Sequence, residues 1–268
     1  TDVYAFLSFL SRDRVKNANS TNSRHGLEVS SRARKVATIR SFYKYLVSKA
    51  KLLDENPIQE LDSPKIRQTL PRYLTLDESI QLLESIDGEN AERDFCIITL
   101  FLNCGMRISE LVGLNLSDIQ EDRIRVLGKG NKERIIYLNA ACQNAIKDWL
   151  SVRSHSGAAD PSALFISRKH TRLTKDGVHY MLKQRFTAAG LDSSKYSAHK
   201  LRHTAATLML QNGVDVRTLQ EVLGHEHLNT TQIYTHVDSD ALQNAAQSNP
   251  LSKLKAKPRR GRPKKQEE

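Results

Sequence analysis

Apolar and polar residues alternate along this chain with a period that is helical almost everywhere. In SSRARKVATIRSFYKYLVSKA, residues 30–50, the apolar positions Val36, Ile39, Phe42, Tyr45 and Leu46 stand against a basic opposite face, which predicts an amphipathic helix. A shorter apolar helix is predicted over 2–11, and the polar stretch 12–29 between them reads as a mobile loop. DENPIQELDSPKIRQTLPRYLT, 54–75, holds three prolines and little periodicity, as a linker does. TLDESIQLLESI then opens a second domain, with Thr75 and Glu78 at capping-box spacing ahead of an apolar stripe.

In the second domain, 91–103 reads as a buried helix ended by Gly105, and 107–114 as a short helix after it. RIRVLGKGNKERIIYL, 123–138, alternates on both sides of GKGN and predicts a β-hairpin. Further helices are predicted at 140–153, 175–188, 198–211, 216–222, 228–235 and 238–247. The fold class is therefore mainly α with a small antiparallel β-sheet, in two domains: a helical N-terminal one over 1–62 and a larger one over 75–249, joined by a linker at 63–74. Residues 250–268 form a basic tail.

Composition narrows the partners. The longest apolar run, FCIITLFL at 95–102, is far short of the roughly 20 residues of a membrane span, so no membrane partner is expected. The start, TDVYAFLSFL, has neither a basic n-region nor a small-residue cleavage site; it does not read as a secretory leader, but as a chain cut near its first element. Three cysteines, Cys96, Cys104 and Cys142, without CxxC spacing fit a reducing cytoplasm. The net charge of +11 is concentrated at the ends: residues 251–268 hold eight Lys/Arg against two Glu, and 1–62 hold eleven against seven acidic residues. A basic chain without a membrane segment points to nucleic acid; the bland alternative is a solvated surface with a basic tail.

Candidate chemistry lies in four stretches. LGHEHLNTTQIYTHV, 223–237, contains three histidines and Tyr234, a composition that first suggests a metal. In SAHKLRHTAATLML, 197–210, Ser197 is a plausible N-cap, placing His199, Arg202 and His203 in the first two turns of a helix. His199 and Arg202, three apart, share a face near the positive helix end, which suits an anion. His199 and His203, four apart, could instead hold zinc, but no HExxH glutamate or cysteine pair accompanies them. CGMRISEL sets Arg107 just past a glycine turn, where an arginine is usually a surface residue. GKGNKER lacks the spacing of a phosphate-binding P-loop and joins strands; as a hairpin tip it projects Lys129 or Lys132.

Each signal is weak alone, but their order is specific: Arg107, Lys129, His199 with Arg202, His225, and Tyr234 nine positions later. CGMRISELVGL, VLGKGNKERIIYL, SAHKLRHTAAT and LGHEHLNTTQIYTHV together resemble the tyrosine recombinase (integrase) family, most closely its Xer-type members, over about residues 3–249. The resemblance implies a SAM-like, core-binding N-terminal domain, here lacking its first helix, and a tyrosine-recombinase catalytic domain. It implies that Tyr234 attacks a DNA phosphodiester to give a 3′-phosphotyrosine, with His199 as base, Arg107 and Arg202 on the phosphate, Lys129 as acid and His225 as a phosphate contact. No cofactor and no metal are implied. Arginines and a lysine around the histidines would repel a cation in any case.

The chemistry agrees with the side chains. Ionising a tyrosine of pKa near 10 at pH 7 costs about 4 kcal/mol, so the nucleophile needs a base or local positive charge. Two arginine forks suit the charge that builds on the phosphate oxygens. The implied partners are double-stranded DNA and a homo-tetramer on two duplexes, or a hetero-tetramer with a related recombinase, working through a Holliday junction in chromosome-dimer resolution or mobile-element integration. DSDALQNAAQSNPLSKL, 238–254, resembles the exchanged C-terminal helix of Xer proteins; exchange on DNA is expected, with the free protein a monomer, against the simpler reading of a helix folded back on its own domain. Further DNA contacts are expected from Arg32, Arg34, Lys35, Arg40, Lys44, Lys132 and Arg134. In the tail, RRGRPKK resembles an AT-hook, in which Arg260 and Arg262 would enter the minor groove beside Gly261; otherwise the tail is a polybasic phosphate binder. The competing readings are a type IB topoisomerase, with the same chemistry but no strand exchange, and a non-catalytic architectural protein.

Overall fold

A computed structural model describes residues 2–12, 15–16, 24–65, 73–128, 133–153, 159–224 and 239–255. The chain divides into two compact units, Thr1–Pro71 and Arg72–Glu268.

The first unit is built on α1 (Asp2–Arg12) and α2 (Val29–Ser48). The stretch between them, expected to be loop throughout, contains two-residue strands β1 (Val15–Lys16) and β2 (Arg24–His25), paired antiparallel with Val15 opposite His25. The Leu27 amide also donates to the Leu10 carbonyl at 2.8 Å. The small core is Val36, Ile58 and Leu61, with Val3, Leu7, Ile39 and Tyr43 against it. Three of the expected apolar-stripe residues, Phe42, Tyr45 and Leu46, do not join it, and Phe42 and Tyr45 are 57% and 56% exposed. At about 100° per residue Tyr45 comes round roughly opposite Val36, whereas Tyr43 returns to Val36's side. Ile58 and Leu61 show that part of the proline-containing stretch 54–75 packs as core rather than running as linker.

In the second unit Thr75 caps α3 (Leu76–Glu84) through the capping box: its hydroxyl accepts from the Glu78 amide, and its own amide donates to Glu78 at 2.8 Å. Leu74 is fully buried and its amide donates to Thr204 Oγ1 at 3.0 Å, so residue 74 belongs to this unit. The central helix α4 (Ala91–Cys104) is buried at every position from Arg93 to Cys104. A helix apolar on all sides must be enclosed, and α6 (Ala140–Arg153) and α8 (Ala198–Gln211) pack against it. The charged pair in its first turns is satisfied: Asp94 accepts from Arg93 and from Arg185 of α7 (Lys175–Ala188). After α5 (Ile108–Gly113), strands β3 (Arg123–Leu127) and β4 (Glu133–Tyr137) form the expected hairpin, with Val126 opposite Arg134. Helix α9 (Val216–Leu223) follows α8 and is capped by Asp215.

The C-terminal segment extends the second unit beyond residue 249. Helix α10 (Ser239–Gln247) and the turn after it lie on their own domain. Asn139 Nδ2 donates to the Ala246 carbonyl at 3.0 Å, Asn249 Nδ2 to Leu102 at 2.9 Å, and the Ala141 amide to Ser252 at 2.8 Å. Leu251 is 0% exposed within the main core. The domain thus runs past 249 to at least Leu254, which also packs on that core. Among the described residues no helix is long and apolar enough to cross a membrane.

Candidate active site

The site is organised by two helix C-termini and one buried carboxylate. Helix α4 ends at Gly105 in the left-handed conformation (φ 57°), and α9 ends the same way at Gly224 (φ 64°). Both positions are also crowded. A Cβ on Gly105 would lie 2.5 Å from Leu223 Cδ2, and one on Gly224 would lie 2.9 Å from Arg134 Cδ. Only glycine lets the two ends and the arginine approach this closely.

Arg202, in the second turn of α8, joins the two ends. Its residue is 6% exposed; Nη1 donates to the Gly105 carbonyl and Nη2 to Leu223 at 2.7 Å. Helix C-terminal carbonyls lack intrahelical partners and carry partial negative charge, so a guanidinium suits them. Arg107 is the N-cap residue of α5. Its Nη2 donates to the Gly224 carbonyl at 2.8 Å and its Nη1 to Glu110 Oε1 at 2.8 Å, while its amide donates to Glu110 Oε2 at 2.8 Å. The two arginines therefore hold consecutive carbonyls, Leu223 and Gly224, and the next residue in sequence is His225.

Glu110 is a site residue that sequence reasoning does not single out. Its side chain is 2% exposed and it also accepts from Arg134, Nη1 to Oε1 and Nη2 to Oε2 at 3.1 Å. Burial by itself would raise its pKa, but the hydrogen bonds from Arg134 and from the Arg107 amide outweigh that and lower it. The one legible signal is its place three residues after Arg107, the capping-box spacing. Arg202 is pushed down to about 10, first by burial and then by neighbouring Arg107, with Glu110 partly opposing and Arg134 adding to it. It stays cationic at neutral pH. Three arginines around one carboxylate leave an excess of positive charge, which attracts an anion and repels a metal ion.

The other expected site residues are placed unevenly. His199 is exposed in the first turn of α8, whose N-cap Ser197 accepts from the Lys200 amide. His203 is partly buried with its ring edge-on to Tyr73 at 6.1 Å between centroids; burial first, then Lys200 and His199, lower its pKa. Arg134, expected at DNA, pairs with Glu110 through both terminal nitrogens. Strand alternation puts it on the same face as buried Ile136. Arg32, Arg34, Lys35, Arg40 and Lys44 all lie on α2 but not on one face: Arg34 turns roughly opposite Val36, while Arg32 and Arg40 flank it at about 40° on either side. Lys129, Lys132, His225, Tyr234, Arg260 and Arg262, together with the helix expected at 228–235, lie outside the described residues.

Residues 72–240 match the phage integrase family. The chain is 54% identical over 252 residues to the tyrosine recombinase XerC of Caldanaerobacter subterraneus subsp. tengcongensis, covering 94% of this chain and 68% of that protein. It is 38% identical over 250 residues to the tyrosine recombinase XerC of Vibrio cholerae serotype O1, covering 91% and 79%. Among solved structures, the XerH site-specific recombinase bound to a palindromic difH substrate, a post-cleavage complex, superposes with a TM-score of 0.64 at 28% identity, over 82% of this chain and 67% of that one. XerA recombinase gives 0.55 at 29%, over 91% and 80%. The chain belongs to the phage integrase family, and it is a tyrosine recombinase. Its similarity is to the Xer-type members in particular.

Proposed function

We propose that this recombinase cleaves and rejoins double-stranded DNA at a specific site through a 3′-phosphotyrosine on Tyr234. The observation that carries the proposal is the pair of arginines, Arg107 and Arg202, clamped on the two consecutive carbonyls that precede His225. Among the described residues each guanidinium commits two of its donors, leaving others for the non-bridging oxygens of a phosphate.

In the proposed reaction the Tyr234 oxygen bonds to phosphorus as its proton passes to His199. The bond from phosphorus to O5′ breaks, and O5′ takes a proton from Lys129. The two arginines and His225 stabilise the charge that accumulates on the phosphate. Reversal, with a 5′-hydroxyl as nucleophile, reseals the strand and restores Tyr234, so the phosphodiester energy is kept without a nucleotide or metal.

The solved relative XerH is described bound to its difH substrate, which supports duplex DNA as the partner. In this reading the chain works in the cytoplasm, and the first unit supplies a second DNA surface, to which the exposed Arg34, Arg40 and Lys44 of α2 contribute. Strand exchange through a Holliday junction requires four protomers on two duplexes. For α10 to exchange, the Asn139 bond to Ala246 would have to open, while Asn249 and Leu251 could stay in place. Incubation with a nicked suicide duplex tests the function: wild type should form an SDS-stable adduct and Tyr234→Phe none. Equal adduct from both would overturn it.

A further inference from the structure

We propose that Arg134 is a positioning residue for the cleavage reaction, fixing Arg107 through the carboxylate of Glu110 rather than contacting DNA; the inference rests on the function proposed above.

Glu110 is held symmetrically. Oε1 accepts from Nη1 of both Arg107 and Arg134, and Oε2 accepts from the Arg107 amide and from Arg134 Nη2. Arg107 holds one oxygen with its guanidinium and the other with its amide; the Arg134 fork grips both oxygens from a second side, restricting the carboxylate and with it the Arg107 guanidinium. The same Arg134 side chain lies flat over Gly224: a Cβ there would come within 2.9 to 3.1 Å of its Cδ, Nε and Cζ. Gly224 is in turn the acceptor for Arg107 Nη2. Arg134 thus braces both groups that Arg107 uses for its own orientation.

Stability alone does not account for the arrangement. A second arginine on a carboxylate already paired adds repulsion at buried Arg202. Arg134 Nε is also buried without a hydrogen-bond partner among the described residues, a condition that costs free energy. Apolar residues of similar size often replace buried ion pairs without loss of stability. What the arginine supplies is rigidity at a group that must meet a phosphate within a fraction of an ångström. Its position adds a second link. Arg134 lies on β4 of the hairpin whose sequence carries Lys129 five residues earlier, so one side chain ties that strand to the phosphate-binding arginines.

The test uses the full chain and a nicked suicide duplex, with single-turnover adduct formation and DNA affinity measured separately. Arg134→Met should slow cleavage on the order of 10²-fold and change DNA affinity by less than about threefold. Arg134→Lys, which keeps the charge but not the fork, should recover only part of the rate; it also serves if the Met variant does not fold. In a Glu110→Gln background, adding Arg134→Met should cost less than about threefold more, because both act through one carboxylate. Wild-type rates in the Arg134 variants, a parallel loss of DNA affinity, or independent effects that multiply would each overturn the inference. Binding of orthovanadate, which needs the arginines but not Tyr234, is measured on the same variants. A wild type that forms no adduct would sink the proposed function, and Arg134 would then be judged on vanadate: weakened binding in Arg134→Met supports the role and unchanged binding refutes it.

Discussion

Arg107 and Gly224 lie 117 positions apart in sequence, yet Nη2 of the arginine donates to the glycine carbonyl at 2.8 Å. This bond joins the N-terminus of α5 to the C-terminus of α9, at the residue that precedes His225 in sequence. It depends on a residue without a side chain. Gly224→Ala should lose about 1–2 kcal/mol of stability, from the positive φ and the clash with Arg134. Cleavage should fall by more than that loss explains at a temperature where the variant is still folded. Thermal melting beside a single-turnover assay reads the two effects apart, and an Ala variant with wild-type melting and rate would contradict the geometry.

Glu110 gives the site a pH signature. Its folded-state pKa lies below the ordinary 4.5, so its contribution is present above the unfolded value and is lost as pH falls through the folded one. Glu110→Gln should cost about 3 kcal/mol at neutral pH, since it leaves two partly buried arginines without their counter-charge. That deficit should shrink steadily below pH 4.5, as the wild-type carboxyl itself becomes neutral. Denaturant unfolding from about pH 3 to 7 spans that window and measures it; a deficit independent of pH would show that the carboxylate is not the ionised partner described.

The elements that local signals determine are legible in the chain itself. Thr75 with Glu78, Ser197 before α8 and Gly105 after α4 are signals contained within a few residues, and the helices they bound lie where the spacing puts them. The hairpin at 123–138 is equally local. Glu110 is opaque for the opposite reason: its second partner, Arg134, comes 24 positions later, and the burial that makes the pair matter is tertiary. Arg134 itself is readable from strand alternation with Ile136, but its charge suggests a surface role. On α2, aromatic character groups Phe42 and Tyr45 with the core, although their angular positions leave them outside it. The pairing of 15–16 with 24–25 is too short to leave a pattern.

The C-terminal turn is a further case of long-range structure in a polar sequence. Leu251 is fully buried among residues contributed by the rest of the second unit, so Leu251→Ala should destabilise the domain by about 2–5 kcal/mol. Lys253, two positions on, is exposed, and Lys253→Ala should shift stability by no more than about 0.5 kcal/mol. Equal, small effects at both positions in thermal melts would show that the turn does not dock on its own domain in solution.

Residues 256–268 carry most of the C-terminal basic charge. Their removal should leave melting unchanged, weaken duplex binding, and flatten the dependence of log affinity on log salt by roughly 0.9 for each phosphate that the tail would otherwise neutralise. Adduct formation at saturating DNA should persist. A truncated chain with the same affinity and salt slope would exclude the tail from the DNA interface. A loss confined to A·T-rich duplexes would favour minor-groove insertion of Arg260 and Arg262 over simple phosphate binding.

In the proposed reaction, recombination turns on the bond that Tyr234 makes. The most direct measurement takes the adduct trapped on a nicked duplex, trims the DNA with nuclease, digests the protein and locates the nucleotide-bearing peptide by mass spectrometry. The released strand is tested in parallel for labelling by polynucleotide kinase without prior dephosphorylation. The expected product is a nucleotide joined through its 3′-phosphate to Tyr234, with a released 5′-hydroxyl that labels directly. A nucleotide on any other side chain, or a released 5′ end that labels only after phosphatase treatment, would contradict the mechanism.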